Sequence, residues 1–266
     1  MGGVRLSRRH LLTLPLALML GPVADVVANG ESRRRSTYEI EVDILYNALR
    51  YRLVGGIDEL VDRASGRYEV RLEGEGTGFA NRGESSGVLR DGRWVPLHSG
   101  SWVHIAGRDG TLDITYDHDR RVARYRSRSE TFFLGRLRVV DDVVPIPAGI
   151  HIDDMASAFL NHADGRWRAE PGGNLETRMV RRQRDRREGL EEISGTRRAE
   201  IVPVTLKLTT DAASSKRIAL LDLTRFSSWA LEDKPAQIVF SADGRPEVIT
   251  SRLMFGTLLT IRFAAR

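Results

Sequence analysis

The sequence predicts an all-β domain, mainly antiparallel, folded as a curved half-open barrel or spiral sheet. One amphipathic helix is expected to pack on this sheet or across its mouth. Three observations predict this class: polar and apolar residues alternate in many segments, Asp-Gly dipeptides separate extended segments, and a single segment has clear helical spacing. The 266 residues are 41% hydrophobic and 29% charged, which is enough apolar material for one medium-sized core.

The N-terminus has the pattern of a cleavable export signal over residues 1–28. Arg8 and Arg9 belong to a cationic start, residues 11–20 form an apolar stretch, and small residues at 26–28 mark a cleavage site. Ten apolar residues are too few to cross a bilayer, which takes about 20. The paired arginines also fit the twin-arginine pattern, so the Sec and twin-arginine routes both stay open.

After cleavage we expect a loose segment over residues 29–37 and a single antiparallel β domain over residues 38–266. This mature chain is predicted to be a soluble periplasmic protein that does not span the membrane. It contains no Cys, which excludes a lipoprotein anchor, cysteine catalysis and cysteine-based metal sites.

The strands are predicted from alternation with a period of two, which places one face of each strand in water and the other in the core. The alternating segments lie at residues 38–44, 68–73, 112–117, 202–208, 218–220 and 259–263. Asp-Gly dipeptides at residues 91–92, 109–110, 164–165 and 243–244 predict tight turns between extended segments. Such strands belong in antiparallel sheets with one covered face.

One helix of about three turns is predicted near the middle of the chain. Its apolar stripe consists of Ile152, Met155, Ala156 and Phe159. Asp153 and Asp154 stand at its start, where carboxylates accept hydrogen bonds from the free N–H groups of a helix. Asp164 and Gly165 are expected to end the helix.

Residues 174–199 form the most polar part of the chain and are predicted to be two exposed strands or a long protruding hairpin. Arg181, Arg182 and Arg184 are candidates for contact with an anion, such as a phosphate group or the head of an anionic lipid. A solvated strand face is the preferred interpretation, because no aromatic residues are interleaved to stack on bases. The chain carries +5, but 38 of its 41 basic residues are Arg and 36 acidic residues are interspersed, so no nucleic-acid partner is predicted.

No catalytic residue is assigned. Residues 83–87 match G-x-S-x-G, the serine nucleophile turn of hydrolases, but no helical pattern follows Ser85, so a flexible polar loop is expected. The glycines at 74, 76 and 78 are expected to mark a bulge or an edge bend. Residues 117–119, Asp-His-Asp, have metal-ligating chemistry, but a charged turn is the preferred interpretation, and no metal or cofactor is predicted.

Three segments carry motifs of Gly, Pro and Asp at fixed spacing: residues 86–97, residues 145–158 ahead of the predicted helix, and residues 238–256. Together they resemble a family of exported bacterial proteins known as domain of unknown function 3108. Residues 178–198 have no counterpart in that family. The resemblance implies an envelope protein whose fold is related to the half-open barrels of lipoprotein carriers, and it implies no active-site residues.

These observations predict a non-enzymatic periplasmic module that binds an apolar ligand, such as a lipid or a lipoprotein acyl chain, or docks an envelope partner. The residues expected to line the site are Met155 and Phe159 on the helix and Trp102, Phe132 and Phe133 on strands. The alternative is a secreted hydrolase that uses Ser85 with a distant His, or a metal ion near His118.

Overall fold

A computed structural model of the chain describes residues 30–44, 46, 48–170, 173–184, 188–193, 197–210 and 216–265. The predicted export signal lies outside these residues. Fifteen strands form one antiparallel sheet, and a single α-helix, α1, spans Met155–Ala163. The predicted all-β class with one helix is confirmed.

The connections between successive strands are short as far as β8, and longer ones follow at residues 146–167, which include α1, at 183–198 and at 222–235. Their bounds are β1 Glu31–Ile44, β2 Leu49–Asp62, β3 Arg67–Gly76, β4 Phe79–Arg90, β5 Arg93–Ile105, β6 Arg108–Asp117, β7 Val122–Glu130, β8 Leu137–Pro145, β9 Arg168–Ala169, β10 Leu175–Arg182, β11 Ala199–Thr210, β12 Arg217–Leu221, β13 Ala236–Phe240, β14 Pro246–Leu253 and β15 Thr257–Ala265. A short 3-10 turn, Met254–Gly256, joins the last two strands.

Sequence neighbours are also sheet neighbours, except β8 and β9, and β1 pairs in addition with β15. Tyr38 on β1 lies opposite Phe263 on β15, and Ile40 lies opposite Ile261. The strands near both ends of the described chain therefore lie in the middle of the sheet, and its edges are β8 and β9. Among the described residues, no ladder of hydrogen bonds joins these two edges.

Instead, side-chain contacts join the strands near one edge of the sheet to the strands near the other edge. Val180 on β10 and Ile201 on β11 pack against a buried cluster that contains Ile114, Tyr125 and Val140 of β6, β7 and β8. Other residues of the same two strands, Met179, Val204 and Leu206, pack in a second cluster with residues of β12, β13 and α1. The backbone N–H of Ala199 also donates to Asp142 on β8, at 2.8 Å. The sheet thus overlaps itself, and β10 and β11 are covered on both faces.

This overlap corrects the prediction for residues 174–199. Two exposed strands or a protruding hairpin were expected, but no residue of β10 is exposed. The sequence pattern is misleading because the arginines of β10 flank the apolar pair Met179 and Val180 and form ion pairs with Glu176, Glu200 and Glu188.

The first strand corrects a second prediction. Residues 29–37 were expected to be loose, but β1 begins at Glu31 and pairs with β2 from its first residue. Arg33 on β1 and Asp58 on β2 hydrogen-bond across the strands, with Nε 2.9 Å from Oδ1. The charged residues of β1 lie on an exposed strand face, and in the sequence this pattern has the same composition as a solvated tail.

Two of the four Asp-Gly pairs form hairpin turns as predicted. Gly92 and Gly244 adopt positive φ between β4 and β5 and between β13 and β14. Residues 109–110 lie inside β6, and the turn before it uses Ala106 and Gly107, with φ of 53° and 75°. Residues 164–165 follow the helix rather than join two strands. A left-handed Ala-Gly pair gives no sequence signal as strong as Asp-Gly.

The glycines at 74 and 76 do not mark a bulge, because β3 keeps continuous register with β4 through both of them and with β2 through Gly74. A Cβ on Gly74 would lie 2.6 Å from the Tyr38 hydroxyl, and a Cβ on Gly55 would lie 2.4 Å from the Tyr38 ring. The Tyr38 hydroxyl donates to Asn81 at 2.6 Å. Gly55 and Gly74 therefore make room for the Tyr38 side chain, which crosses the neighbouring strands.

Successive turns alternate between the two ends of the sheet. The helix end contains α1 and the turns at residues 91–92 and 241–245. The tip end contains the connections at residues 106–107, 131–136 and 254–256. The two ends differ in chemistry.

Candidate functional site

A cavity of about 1360 Å³ lies between the sheet and α1. Its sheet wall is largely apolar and includes Ile57, Leu72, Ile114, Ile249, Ile261 and Phe263. The first half of α1 contributes Met155, Ala156 and Phe159. Ser85, Ser99, Asp153 and Asp154 supply a polar patch where β4 and β5 approach the helix start.

The start of α1 is fixed by a capping box. Oδ1 of Asp154 accepts a hydrogen bond from the Ser157 N–H at 2.8 Å, and the Asp154 N–H donates to the Ser157 hydroxyl at 2.9 Å. The helix ends before Asp164, as predicted. Ile152, predicted as the first residue of the stripe, instead precedes the helix and is buried.

The helix packs on the protein through a different face from the predicted stripe. Its buried residues are Ser157, Ala158, Leu160, Asn161 and His162. Asn161 anchors it to β5, because its side chain accepts from the Trp94 N–H at 2.9 Å and donates to the Trp94 carbonyl at 2.8 Å. Met155 keeps 62% of its surface exposed. Met155 and Phe159 therefore face the cavity, whereas Ala156 also packs against a buried cluster and Ile152 lies within one.

Asp153 forms a buried ion pair at the helix start. Its carboxylate is completely inaccessible and accepts hydrogen bonds from Arg93, from Thr177 and from Asn161, the last at 2.9 Å. Burial raises the pKa of Asp153, and the Arg93 guanidinium and the two neutral donors limit that rise. The Arg93 guanidinium therefore balances the negative charge of Asp153 inside the protein.

Asp154 is also buried, but its partners are neutral. It is 5% exposed and accepts from the Ser85 hydroxyl and the Ser157 N–H. Tyr68 extends this network, with its hydroxyl 3.1 Å from Ser85 Oγ. Burial raises the pKa of Asp154 above its usual value, and these hydrogen bonds oppose the rise. Burial and the nearby Asp154 carboxylate also raise the pKa of the Tyr116 hydroxyl.

The five residues predicted to line a ligand site do not lie together. Met155 and Phe159 line the cavity. Trp102 lies on β5 but does not line it, and its ring is stacked on His104 with the Arg82 guanidinium 5.6 Å from the ring centre. Phe132 and Phe133 lie in the connection between β7 and β8, so their predicted placement on strands is wrong.

Phe132 and Phe133 instead belong to an aromatic cluster at the tip end. Their rings lie 5.3 and 5.8 Å from the Trp229 ring, and Phe255 lies 6.0 Å from the same ring. Phe133 remains 44% exposed and Phe255 43% exposed. The Arg108 side chain donates to the carbonyl groups of both phenylalanines of the connection.

The three arginines predicted to contact an anion have partners within the chain. Arg181 pairs with Glu200, and Arg182 pairs with Glu188 at 2.9 Å. Arg184 donates to the Thr224 and Ser227 carbonyls at 3.0 and 2.7 Å. Burial lowers the pKa of Arg181 and of Arg184. Their contact with an external anion stays a prediction.

The two candidate hydrolase centres are also placed. Ser85 lies in the middle of β4, so the expected flexible loop is wrong, and its side-chain partners are Tyr68 and Asp154 rather than a His. His118 lies in the turn after β6, within 2.7 Å of the Pro96 carbonyl. The charged turn is confirmed, because Asp117 ends β6 and accepts from the Arg120 N–H. In the described ranges, no three potential metal ligands cluster.

Sequence reasoning missed Arg93, Thr177 and Asn161, which hold Asp153 in place. They are far apart in sequence, and Arg93 and Thr177 lie on strands that meet only in the folded sheet. One sequence signal was available: Arg93 directly precedes the apolar run of Trp94, Val95 and Pro96. In the structure all four residues are buried.

Among the residues with described positions, no helix is long and apolar enough to cross a membrane. No protein-family model and no curated protein matches the chain. The resemblance to the domain of unknown function 3108 family therefore stays a prediction. Among solved structures, the chain is similar to a beta-barrel-like protein of domain of unknown function DUF1849 from Brucella abortus. The two share 11% identity over 88% of this chain and 98% of that chain, with a TM-score of 0.35.

Proposed function

We propose that this protein is a non-enzymatic periplasmic module that holds an apolar ligand, such as a lipid or an acyl chain, in the cavity between sheet and α1. One observation carries the proposal: Met155 and Phe159, the two large apolar residues of the predicted stripe that lie on α1, line the cavity and belong to none of the buried core clusters. Met155 is 62% exposed although the sequence pattern is that of a packing face. An apolar ligand would remove this surface from water, which is favourable in proportion to the area buried.

The size and lining of the cavity suit such a ligand. Ligand sites commonly have volumes of about 300–1000 Å³ and are mostly apolar with a few polar groups. At about 1360 Å³, this cavity has room for an extended hydrocarbon chain. The polar patch around Asp154, next to Met155 and Phe159, would orient a ligand that has one polar end.

The first test uses material purified from the periplasm of the cell that makes the protein. We expect native mass spectrometry and solvent extraction to reveal a co-purified lipid or fatty acyl compound. Binding of Nile red, an uncharged apolar dye, gives an affinity for the protein after the native ligand is removed. If no lipid is found and the dye does not bind, the proposal is wrong.

A pair of variants tests whether the stripe forms the site. Met155→Gln places a polar group in the cavity wall, so dye affinity should fall about tenfold. Val143→Gln is the matched control, because Val143 is 52% exposed on β8 and does not line the cavity. The control should bind like the unchanged protein. Equal losses in both variants would contradict a site on α1.

The serine hydrolase alternative has its own test. A fluorophosphonate reagent labels an activated serine, and Ser85 is the residue that this alternative requires. We expect no labelling, because the Ser85 hydroxyl donates to Asp154 and has no His partner among the described residues. Labelling that disappears in Ser85→Ala would replace the binding proposal by an enzymatic one.

A further inference from the structure

We propose that the ligand is a cationic amphiphile, with an ammonium group bound by Asp154 and a hydrocarbon chain lying along Met155 and Phe159. This inference rests on the proposed function and specifies the chemical class of its ligand. Three features support it: the lone buried carboxylate of Asp154, the charge of the residues that line the cavity, and the position of Asp154 beside the apolar stripe.

Asp154 has no positively charged neighbour in the part of the chain that the structure describes. No Lys, Arg or His nitrogen of those residues lies within 4.0 Å of its carboxylate, whereas the adjacent Asp153 pairs with Arg93. A buried carboxylate without a cation is costly, and neutral donors compensate it only in part. Because Asp154 lines the cavity, a ligand can supply the missing charge.

The charge of the cavity lining favours the same class of ligand. Seven carboxylates line the cavity, against three basic residues, Arg34, Arg245 and Arg262. All three arginines pair with acids. Five of the seven carboxylates pair with Arg or Lys side chains, namely Glu39, Glu59, Asp153, Asp243 and Glu247. Among the described lining residues, Asp154 and Glu84 are the acids without an Arg or Lys partner, and Asp154 is the buried one of the two. The unpaired charge of the lining is therefore negative, which favours a cation over an anionic head group.

The order of residues on α1 gives the ligand an orientation. Asp154 is the N-cap, Met155 follows it, and Phe159 lies four residues further on the same face. A head group at Asp154 therefore continues directly into a chain that contacts Met155 and then Phe159. Ser85 and Ser157 hold the carboxylate in place, with the Ser85 hydroxyl donating to Oδ2 and the Ser157 N–H donating to Oδ1.

The test compares decylammonium, decanol and decanoate, which share one chain length and differ in charge. Each is titrated below its micelle concentration into the delipidated full-length mature protein, and displacement of Nile red reports binding. We expect decylammonium to bind most tightly and decanoate least tightly. Equal affinities, or tightest binding of decanoate, would overturn the inference and leave the proposed function standing. Failure of all three to displace the bound dye would also overturn the inference, whereas the proposed function is overturned only by the absence of both dye binding and co-purified lipid.

Asp154→Asn tests the residue itself. Asn is as good an N-cap as Asp, so the helix start is kept while the charge is lost. Decylammonium affinity should fall by roughly 10- to 100-fold, as for loss of a charged hydrogen bond, while decanol affinity stays unchanged. An unchanged preference for decylammonium would overturn the assignment to Asp154.

Two further variants complete the test. Asp119→Asn removes the same charge from a residue whose side chain is 86% exposed and which does not line the cavity, and it should leave the ranking of the three ligands unchanged. Asp154→Ser is a second neutral N-cap, which replaces Asp154→Asn if that variant unfolds. A loss in Asp119→Asn equal to that in the Asp154 variants would overturn a specific site.

Discussion

The helix end and the tip end of the sheet are stabilised by different means. At the helix end, the buried ion pair of Arg93 and Asp153 and the side chain of Asn161 fix α1 against β5. At the tip end, Phe133 and Trp229 stack in a cluster whose rings remain partly exposed. The first arrangement depends on every partner being present, because each buried polar group needs its hydrogen bonds. The stability of the aromatic cluster at the tip end depends on burial of apolar surface, and part of that surface is still exposed to water.

The sharpest way to break the helix end is Asp153→Ala. It leaves the Arg93 guanidinium buried beside Thr177 without its carboxylate, and removal of one partner from a buried pair costs about 3–5 kcal/mol. Urea unfolding of the variant and of the unchanged protein measures the loss. A loss under about 1 kcal/mol would show that the ion pair does not stabilise this end.

Two phenylalanine variants compare the ends directly. Phe240 at the helix end is buried and stacks on His162 with ring centres 4.4 Å apart, so Phe240→Ala should cost about 3–5 kcal/mol. Phe133→Ala at the tip end should cost only about 1–2 kcal/mol, because the ring is already 44% exposed. Equal losses in urea unfolding would contradict the difference between the ends.

The sequence predicts those parts of the molecule that local patterns determine. Alternation locates β1, β3, β6, β11 and β15, because the two faces of a strand differ in exposure wherever one face is covered. Asp154 and Asp164 mark the two ends of α1 because capping chemistry acts within one turn. The existence and type of these elements follow from residues a few positions apart.

Contacts between distant segments are not predictable in this way. Val180 is buried because β10 lies against β6, β7 and β8. The local sequence of the arginine-rich segment contains no signal of that contact. Likewise, Met155 and Phe159 are predicted correctly as a stripe on the helix, but the space that they face depends on how the sheet curves. Phe132 and Phe133 have strand-like composition, yet Arg108 and Glu191 hold them in a connection.

Asp154 at the helix end and Glu191 at the tip end should respond to pH in opposite directions. At the helix end, burial raises the pKa of Asp154, so its contribution to stability is complete in acid and is lost as pH rises through the raised value. At the tip end, burial works against ionisation of Glu191, but hydrogen bonds from Thr131 and from the N–H groups of Phe133 and Leu134 outweigh it and lower its pKa. The contribution of Glu191 is therefore present above its ordinary pKa and is lost as pH falls.

Free energies of unfolding measured from acid to neutral pH should show that Glu191→Gln reduces the loss of stability on acidification. Asp154→Asn should reduce the loss on raising the pH from acid, and the same pH dependence in both variants would show that the two carboxylates do not differ in this way.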